Sequence, residues 1–308
     1  MTARRSPEMT APKTPAVSPP EGISGGLGRP GVRLNTLMAM NTIAFIGGGN
    51  MASAIVGGLL KSGRSTDSII VVEPFEAQRD KLRADFKLRA LAAADASLVQ
   101  AALVVWAVKP QLFKAAALPC AAHVGRALHL SVMAGIRTDA IALATGSRRV
   151  VRAMPNTPAL IGQGIAGLFA LDAVTAAEKT QIEQVLAPTG QTLWVAREED
   201  LDAVTALSGS GPAYVFYFVE AMLQAALEMG LSAAQGRQLA LATFAGATAL
   251  AQACDDPPAL LRERVTSKGG TTHAALSSLE ASGVKAAFVH ALKAAQQRAR
   301  ELGDEFGA

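Results

Sequence analysis

The sequence predicts an α/β fold in which a parallel sheet, covered by helices on both faces, is followed by an all-helical region. Three observations predict it. Between Asn41 and about Ala153, short apolar runs alternate with helical stretches, and such alternation builds parallel strands into a two-sided core. The run TIAFIGGGNMASAIVGG, residues 42–58, reads as a buried strand, a tight turn and a helix start. From about Glu198 onward the pattern holds helices only.

The first strand, Ile43–Ile46, leads into Gly47-Gly48-Gly49, after which Met51, Ala52, Ile55, Val56 and Leu59 keep helical spacing. Gly47, Gly49 and Ala52 match G-x-G-x-x-G/A. In that pattern the first small residue permits the turn, the second lets backbone approach a pyrophosphate, and the third lets helix pack on strand. The helix start offers free N–H groups and partial positive charge to phosphates. A second apolar strand, Ile69–Val72, ends in Glu73, about 20 residues beyond Ala52, where the acid of a dinucleotide site meets the ribose. The glycine run also fits an ordinary turn between strand and helix.

Further strands are predicted near Lys87–Leu91 and over Leu103–Val108, Leu128–Val132 and Val150–Met154, with helices between them. Ligands of such sheets sit beyond the carboxyl ends of the strands. Three segments lie there: Ala107-Val108-Lys109-Pro110, Ser131-Val132-Met133-Ala134-Gly135 and Met154-Pro155-Asn156-Thr157-Pro158. Lys109 either reaches the cofactor or the edge of a nicotinamide pocket, or is a solvated strand-end lysine. Pro155 and Pro158 fix an extended loop, which either presents Asn156 and Thr157 to a ligand or is a structural turn. Residues 164–195 read as one more unit, with strands Ile165–Ala170 and Thr192–Val195 around a helix over Ala173–Leu186.

In the helical region Pro212 is expected at the first helical position, with that helix ending at Gly230. Ser232 and Gln235 make a capping box for the next helix, which runs to about Ala253 with no charge between Gln238 and Cys254. A helix that is apolar all round is buried. This one is short for a membrane span and interrupted by Gln, Thr and Gly, so burial between subunits is expected. Two shorter helices and a long one, Val284–Leu302, complete the chain. Between the second long helix and the end, Val265-Thr266-Ser267-Lys268-Gly269-Gly270-Thr271-Thr272 puts two glycines and several hydroxyls at a helix start. That is either a nest of backbone N–H groups for a small carboxylate or a plain succession of helix caps.

Composition bounds the partners. Half of the 308 residues are hydrophobic, 18% are charged and 5% aromatic, which allows a sizeable core and argues against aromatic platforms for single-stranded nucleic acid. Of the formal charge of +4, residues 1–40 carry +3 through Arg4, Arg5, Lys13, Arg29 and Arg33 against Glu8 and Glu21. The near-neutral remainder lacks a phosphate-backbone footprint, so neither nucleic acid nor membrane is expected as a partner. Cys120 and Cys254 read as free thiols of a reducing, cytoplasmic protein. The four histidines form no metal-type cluster, and no metal is expected. Residues 1–37 are rich in Pro, Gly, Ser and Thr, with no period and no apolar signal region, and read as a disordered tail. Met38 or Met40 is the alternative start this suggests.

The motifs FIGGGNMA, AVKP, MPNTPA, LSGSGPAYVF and VTSKGGTTHAAL, in that order, resemble those of the pyrroline-5-carboxylate reductase family over about residues 41–303. The resemblance implies a Rossmann dinucleotide-binding domain (residues 41–203) and a helical dimerisation and substrate domain (residues 204–308). It implies intertwined homodimers, often built into decamers, that reduce the C=N bond of 1-pyrroline-5-carboxylate with NADP or NAD in reduced form to give L-proline. Carried onto this chain, Ile46, Gly47, Gly48, Gly49, Asn50 and Met51 meet the phosphates, with Ala52 behind them. Ala107, Val108, Lys109 and Pro110, with Val132, Met133 and Ala134, border the ribose and nicotinamide. Ser267, Lys268, Gly269, Gly270, Thr271 and Thr272 hold the substrate carboxylate through backbone amides. Thr243 matches the family hydroxyl that contacts the substrate nitrogen across the dimer interface.

Three positions depart from the family pattern. Lys268 stands where proline is frequent, and Ala94 where some members use asparagine near the adenosine. Glu73 replaces the small or basic residue of strongly NADP-selective members. A carboxylate there accepts ribose hydroxyls and repels a 2′-phosphate, so NADH is expected to compete well with NADPH unless Arg79 offsets the charge. The motifs offer no evident His, Asp or Glu proton donor, which suits a substrate that is readily protonated in solution. A ketoacid or hydroxyacid reductase on a similar plan would need an acid near the carbonyl, and Lys109 is its sole candidate.

Overall fold

The computed structural model describes residues 42–307. The segment read as a disordered tail, with its alternative starts, lies outside the described residues. Strands β1 (Thr42–Ile46), β2 (Ile69–Val72), β3 (Ala101–Trp106), β4 (Leu128–Ser131), β5 (Val150–Met154), β6 (Gly164–Ala170) and β7 (Gly190–Trp194) form one sheet in the order β2-β1-β3-β4-β5-β6-β7. Between them run helices α1 (Asn50–Lys61), α2 (Glu76–Phe86), α3 (Phe113–Val124), α4 (Thr138–Thr145) and α5 (Ala176–Leu186). The core lies on both faces because strand side chains alternate. Ile43 and Phe45 pack with α1, while Ala44 and Ile46 pack with residues of α3.

The sheet departs from the expected all-parallel arrangement at one pair. β1 to β5 are parallel, but β6 runs antiparallel to β5, and β7 is parallel to β6. A parallel connection needs a crossover of about a dozen residues or more, and the loop after Met154 is too short to supply one. The predicted strand near Lys87–Leu91 is a single bridge from Leu91 to Val72. Lys87 caps α2 in the left-handed region, at φ 59°, which turns the chain before a ladder can form. β3 stops at Trp106, two residues earlier than expected, because Pro110 opens a 3-10 turn and has no N–H to offer a neighbour.

His129 lies at the centre of β4, fully buried, with Nδ1 accepting the indole N–H of Trp106 at 3.1 Å. Burial pushes its pKa down from 6.5 to about 4. Below the unfolded value the unfolded chain takes up a proton that the folded chain refuses. Stability therefore falls as pH drops from 6.5 towards 4 and then levels, by about 3 kcal/mol in all. Urea unfolding of wild type and His129→Gln across that window checks this: the difference between them should shrink on acidification by that amount.

The helical region begins with α6 (Asp200–Val204), which passes through a π-helical turn, Thr205–Gly209, into α7 (Gly211–Glu228). Pro212 occupies its second residue rather than its first. Next come α8 (Ala233–Gln252), opened by the expected Ser232–Gln235 capping box, then α9 (Pro258–Arg264), α10 (Thr271–Ala281) and α11 (Val284–Gly307). α11 exceeds the predicted end by five residues and packs on α7, where the ring of Phe288 lies 5.7 Å from Tyr214 and 5.6 Å from Phe218. α7 and α8 sit close: a Cβ on Gly236 would lie 2.8 Å from that of Ala226. Their outer faces remain open in one chain, with Phe216, Tyr217, Leu227, Leu239 and Leu250 each more than half exposed. So large an apolar surface requires a partner. No described helix is long and apolar enough to cross a membrane.

Candidate active site

Backbone hydrogen bonds bring three of the predicted segments together at the carboxyl ends of β1, β3 and β4. The Gly47 N–H donates to the Val72 carbonyl at 2.8 Å, the Ala107 N–H to Ile46 at 2.8 Å, and the Val132 N–H to Trp106 at 3.0 Å. Gly47 has φ 99°, and a Cβ there would lie 2.7 Å from the Ala107 carbonyl oxygen. Only glycine fits both the conformation and the approach. At Gly49 a Cβ would meet nothing within 4 Å. That glycine opens α1 with no side-chain cap, leaving first-turn N–H groups without a side-chain partner beneath open space, an arrangement that fits a diphosphate. Asn50 is exposed and Ala52 buried against the sheet.

Glu73 is buried at the end of β2. Its Oε2 accepts the Gly48 N–H at 2.8 Å and its Oε1 the Phe75 N–H at 3.0 Å. The Gly48 carbonyl in turn accepts the side-chain amide of Gln78. The middle peptide of the glycine turn is thus held from both sides, and each Glu73 oxygen keeps a further lone pair. Arg79 reaches back, its Nη1 donating to the carbonyls of Glu73 at 3.0 Å and Pro74 at 2.6 Å.

Lys109 is exposed at the mouth of the crevice, and Ala107, Val108 and Pro110 are half-buried. Met133 turns into the core, leaving Val132 and Ala134 as the more open residues of their segment. Asn156 donates from Nδ2 to Ser208 Oγ at 3.1 Å and accepts the Ile165 N–H at 3.0 Å. It ties the double-proline loop to the π-helical turn. Both line a cleft of about 620 Å³ with Tyr214, Phe244 and Phe288.

Thr243 lies exposed on α8, in a shallow cleft shared with Leu231, Gln235, Gln238, Leu239 and Ala242. Ser267–Thr272 forms the turn into α10. Its Gly269 has φ 76°, the Gly270 N–H donates to the Ser267 carbonyl at 3.0 Å, and Gly270 opens α10 without a side-chain cap. Ser267, Lys268, Gly269 and Thr271 are exposed. The cleft at Thr243 is lined by α8 and the turn before it, and by no residue of the glycine turn.

Gln78 and Ser208 escaped the sequence reading. Each acts on a residue 30 or 52 positions away, and no local pattern announces such a pairing. Glu198 was missed for the same reason: its carboxylate accepts the Thr138 N–H at 2.9 Å and the Arg152 guanidinium at 3.1 Å.

Comparison with known proteins gives matches over most of the chain. Residues 198–302 match the family model described as pyrroline-5-carboxylate reductase dimerisation, and residues 42–135 that of NADP oxidoreductase coenzyme F420-dependent. The chain is 42% identical over 272 residues to the pyrroline-5-carboxylate reductase of Pseudomonas aeruginosa, covering 88% of this chain and 100% of that protein. It is 35% identical to that of Pisum sativum, covering 85% of this chain and 96% of that protein. The solved pyrroline-5-carboxylate reductase of Coxiella burnetii superposes with a TM-score of 0.79 at 35% identity, covering 85% and 98% of the two chains. That of Plasmodium falciparum pyrroline carboxylate reductase with NADP bound gives 0.77 at 26% identity, covering 86% and 99%.

Proposed function

The chain belongs to the pyrroline-5-carboxylate reductase family, and on that premise we propose that it reduces 1-pyrroline-5-carboxylate to L-proline at a site shared between two subunits. It is an NAD(P)-dependent oxidoreductase that works as a homo-oligomer. The observation that carries the site is the shared edge of the glycine turn, Ala107–Pro110 and Val132–Ala134, with open space above Gly49. Residues 41–203 then hold the dinucleotide, and residues 204–308 supply dimer contacts and substrate contacts. Assembly beyond the dimer into a decamer, and residence in the cytoplasm, belong to the same proposal.

Ile46–Ala52 receive the diphosphate, and the residues at the ends of β3 and β4 border the nicotinamide, with Asn156 holding the loop beside them. When bound, the reduced nicotinamide supplies the hydride that turns the C=N carbon of the substrate into C–H. The nitrogen of a cyclic imine is readily protonated near neutral pH, so the chain needs little acid strength of its own. Its work is placement, which is worth about 7–11 kcal/mol when reacting atoms are held in line. The Ser267–Thr272 turn of one subunit holds the carboxylate, and Thr243 accepts or donates a hydrogen bond at the ring nitrogen. The exposure of Thr243 and the bare apolar faces of α7 and α8 in a single chain support a site completed by a second one.

Thr243→Ala is expected to lower kcat about two- to tenfold without abolishing it, because losing one hydrogen bond costs about 0.5–1.5 kcal/mol. Complete loss in an intact dimer would give the hydroxyl a larger role. The proposal itself is tested by NADH and NADPH oxidation on adding 1-pyrroline-5-carboxylate, with a ketoacid as control. Oxidation should require the pyrroline. With Glu73 buried under the adenosine side of the turn, kcat/KM for NADH should come within about tenfold of that for NADPH. A large preference for NADPH would contradict the role given to Glu73.

A further inference from the structure

We propose that Glu198 and the end of α11 are positioning residues for the segment Val132–Arg137, so that the helical region sets how tightly the cofactor is held. This rests on the reading that Val132–Ala134 border the nicotinamide. The segment is pinned at its start by the Val132 N–H on Trp106. Met133 and Ile136 then seat it in the core, with the Met133 N–H on the Ser131 hydroxyl at 3.3 Å, and the remaining contacts come from α11 and Glu198. Gly135 lies directly on α11: a Cβ there would stand 3.0 Å from Phe306 Cδ2 and 3.2 Å from the Leu302 carbonyl oxygen. Gly303 lies equally close to Arg137, a Cβ on it falling 3.0 Å from Nε and 3.1 Å from Nη2. Arg137 Nη2 donates to Asp304 Oδ1 at 2.6 Å.

The far end of the segment is fixed by a borrowed cap. Arg137 precedes α4 and offers no side-chain cap to it. Glu198 takes that place from 60 residues away, its carboxylate accepting both the N–H and the hydroxyl of Thr138 while also pairing with the buried Arg152. A carboxylate at a helix start is favoured by the unpaired N–H groups and the dipole. α11 at Gly135 and Arg137 and Glu198 at Thr138 thus hold the later half of the segment, whose earlier half is seated in the core by Met133.

The pair Arg137–Asp304 is solvent-exposed, with two-thirds of the Asp304 side chain accessible. Such pairs add little to global stability, so its loss should be read in the segment rather than in the melting temperature. The segment leads from β4 into the crevice, so a looser grip at Gly135 and Arg137 transmits to Ala134 and Val132 over one to five residues of backbone. Substrate carboxylate contacts lie on a different turn, before α10, and should not feel it.

The test measures the Kd of NADH directly by its fluorescence on binding, and KM for each substrate, in the full-length dimer. Phe306→Ala should raise the NADH Kd about fivefold and Asp304→Asn about twofold. Phe306→Leu should restore the wild-type value, and KM for 1-pyrroline-5-carboxylate should stay unchanged throughout. An unchanged NADH Kd in both variants would overturn the proposal, as would parallel rises in both KM values. If Phe306→Ala does not fold, Asp304→Asn decides alone. Failure of wild type to bind NADH at all would instead overturn the cofactor reading beneath it.

Discussion

Gly47→Ala is expected to lower kcat/KM for the cofactor by roughly 100-fold or more, because a displacement of about an ångström at a reacting site costs that much. Two separate penalties fall on this one carbon. At φ 99° an L-residue is strained, at a cost of about 1–3 kcal/mol. The new Cβ would also lie 2.7 Å from the Ala107 oxygen and 2.8 Å from its carbonyl carbon. Both are main-chain atoms, so no rotamer change relieves the clash. The β1–β3 seam must open or the glycine turn must tilt, and either movement carries the N–H groups of α1 away from the diphosphate. Substrate-analogue binding at the late turn should survive. Steady-state kinetics with the cofactor varied, together with proline binding to the variant, separates the two effects.

Gly269→Val should damage the other half of the site. Here nothing crowds the position, since a Cβ would meet no atom within 4 Å. The penalty is conformational alone, but a β-branched residue at φ 76° is an outlier. The turn is expected to re-form with a negative φ and to point its N–H groups elsewhere. Each charge-assisted hydrogen bond lost to the carboxylate costs about 1.5–3 kcal/mol, so KM for 1-pyrroline-5-carboxylate should rise about 10- to 100-fold. The NADH Kd should not move. Direct binding of NADH and substrate-dependent rates on the same sample check both halves of the expectation.

Local chemistry was what made the fold legible. The glycine turn with its flanking strand and helix, the Ser232–Gln235 capping box and the strand-end segments are each written in a handful of adjacent residues, and each forms where expected. The direction of β6 was not legible as such, although the shortness of the Met154–Gly164 connection carries the information once its consequence for crossovers is drawn. Leu91 shows why short apolar runs mislead: one bridge satisfies it, and the left-handed Lys87 prevents more. Side-chain partners far apart in sequence were out of reach altogether. Glu73 read as a ribose acid, yet its first use in the folded chain is to hold the Gly48 and Phe75 N–H groups. Asn156 read as a ligand contact, and it also locks its loop to Ser208. Such dual roles depend on which strand ends the topology brings side by side, and no window of neighbouring residues contains that.

The central claim is that the early glycine turn of one chain works with the late glycine turn of another. Mixing the Gly47→Ala and Gly269→Val proteins under conditions that exchange subunits tests it most directly. At cofactor and substrate concentrations well below the raised KM values each parent is nearly inactive, but a mixed dimer contains one composite site with both turns intact. Random exchange in equal amounts should therefore return about a quarter of the wild-type turnover, as the two-fold symmetry of the dimer requires. If both turns of each site belonged to the same chain, every site in the mixture would carry one broken turn. Activity that stayed at the parental level after verified subunit exchange would contradict the shared site.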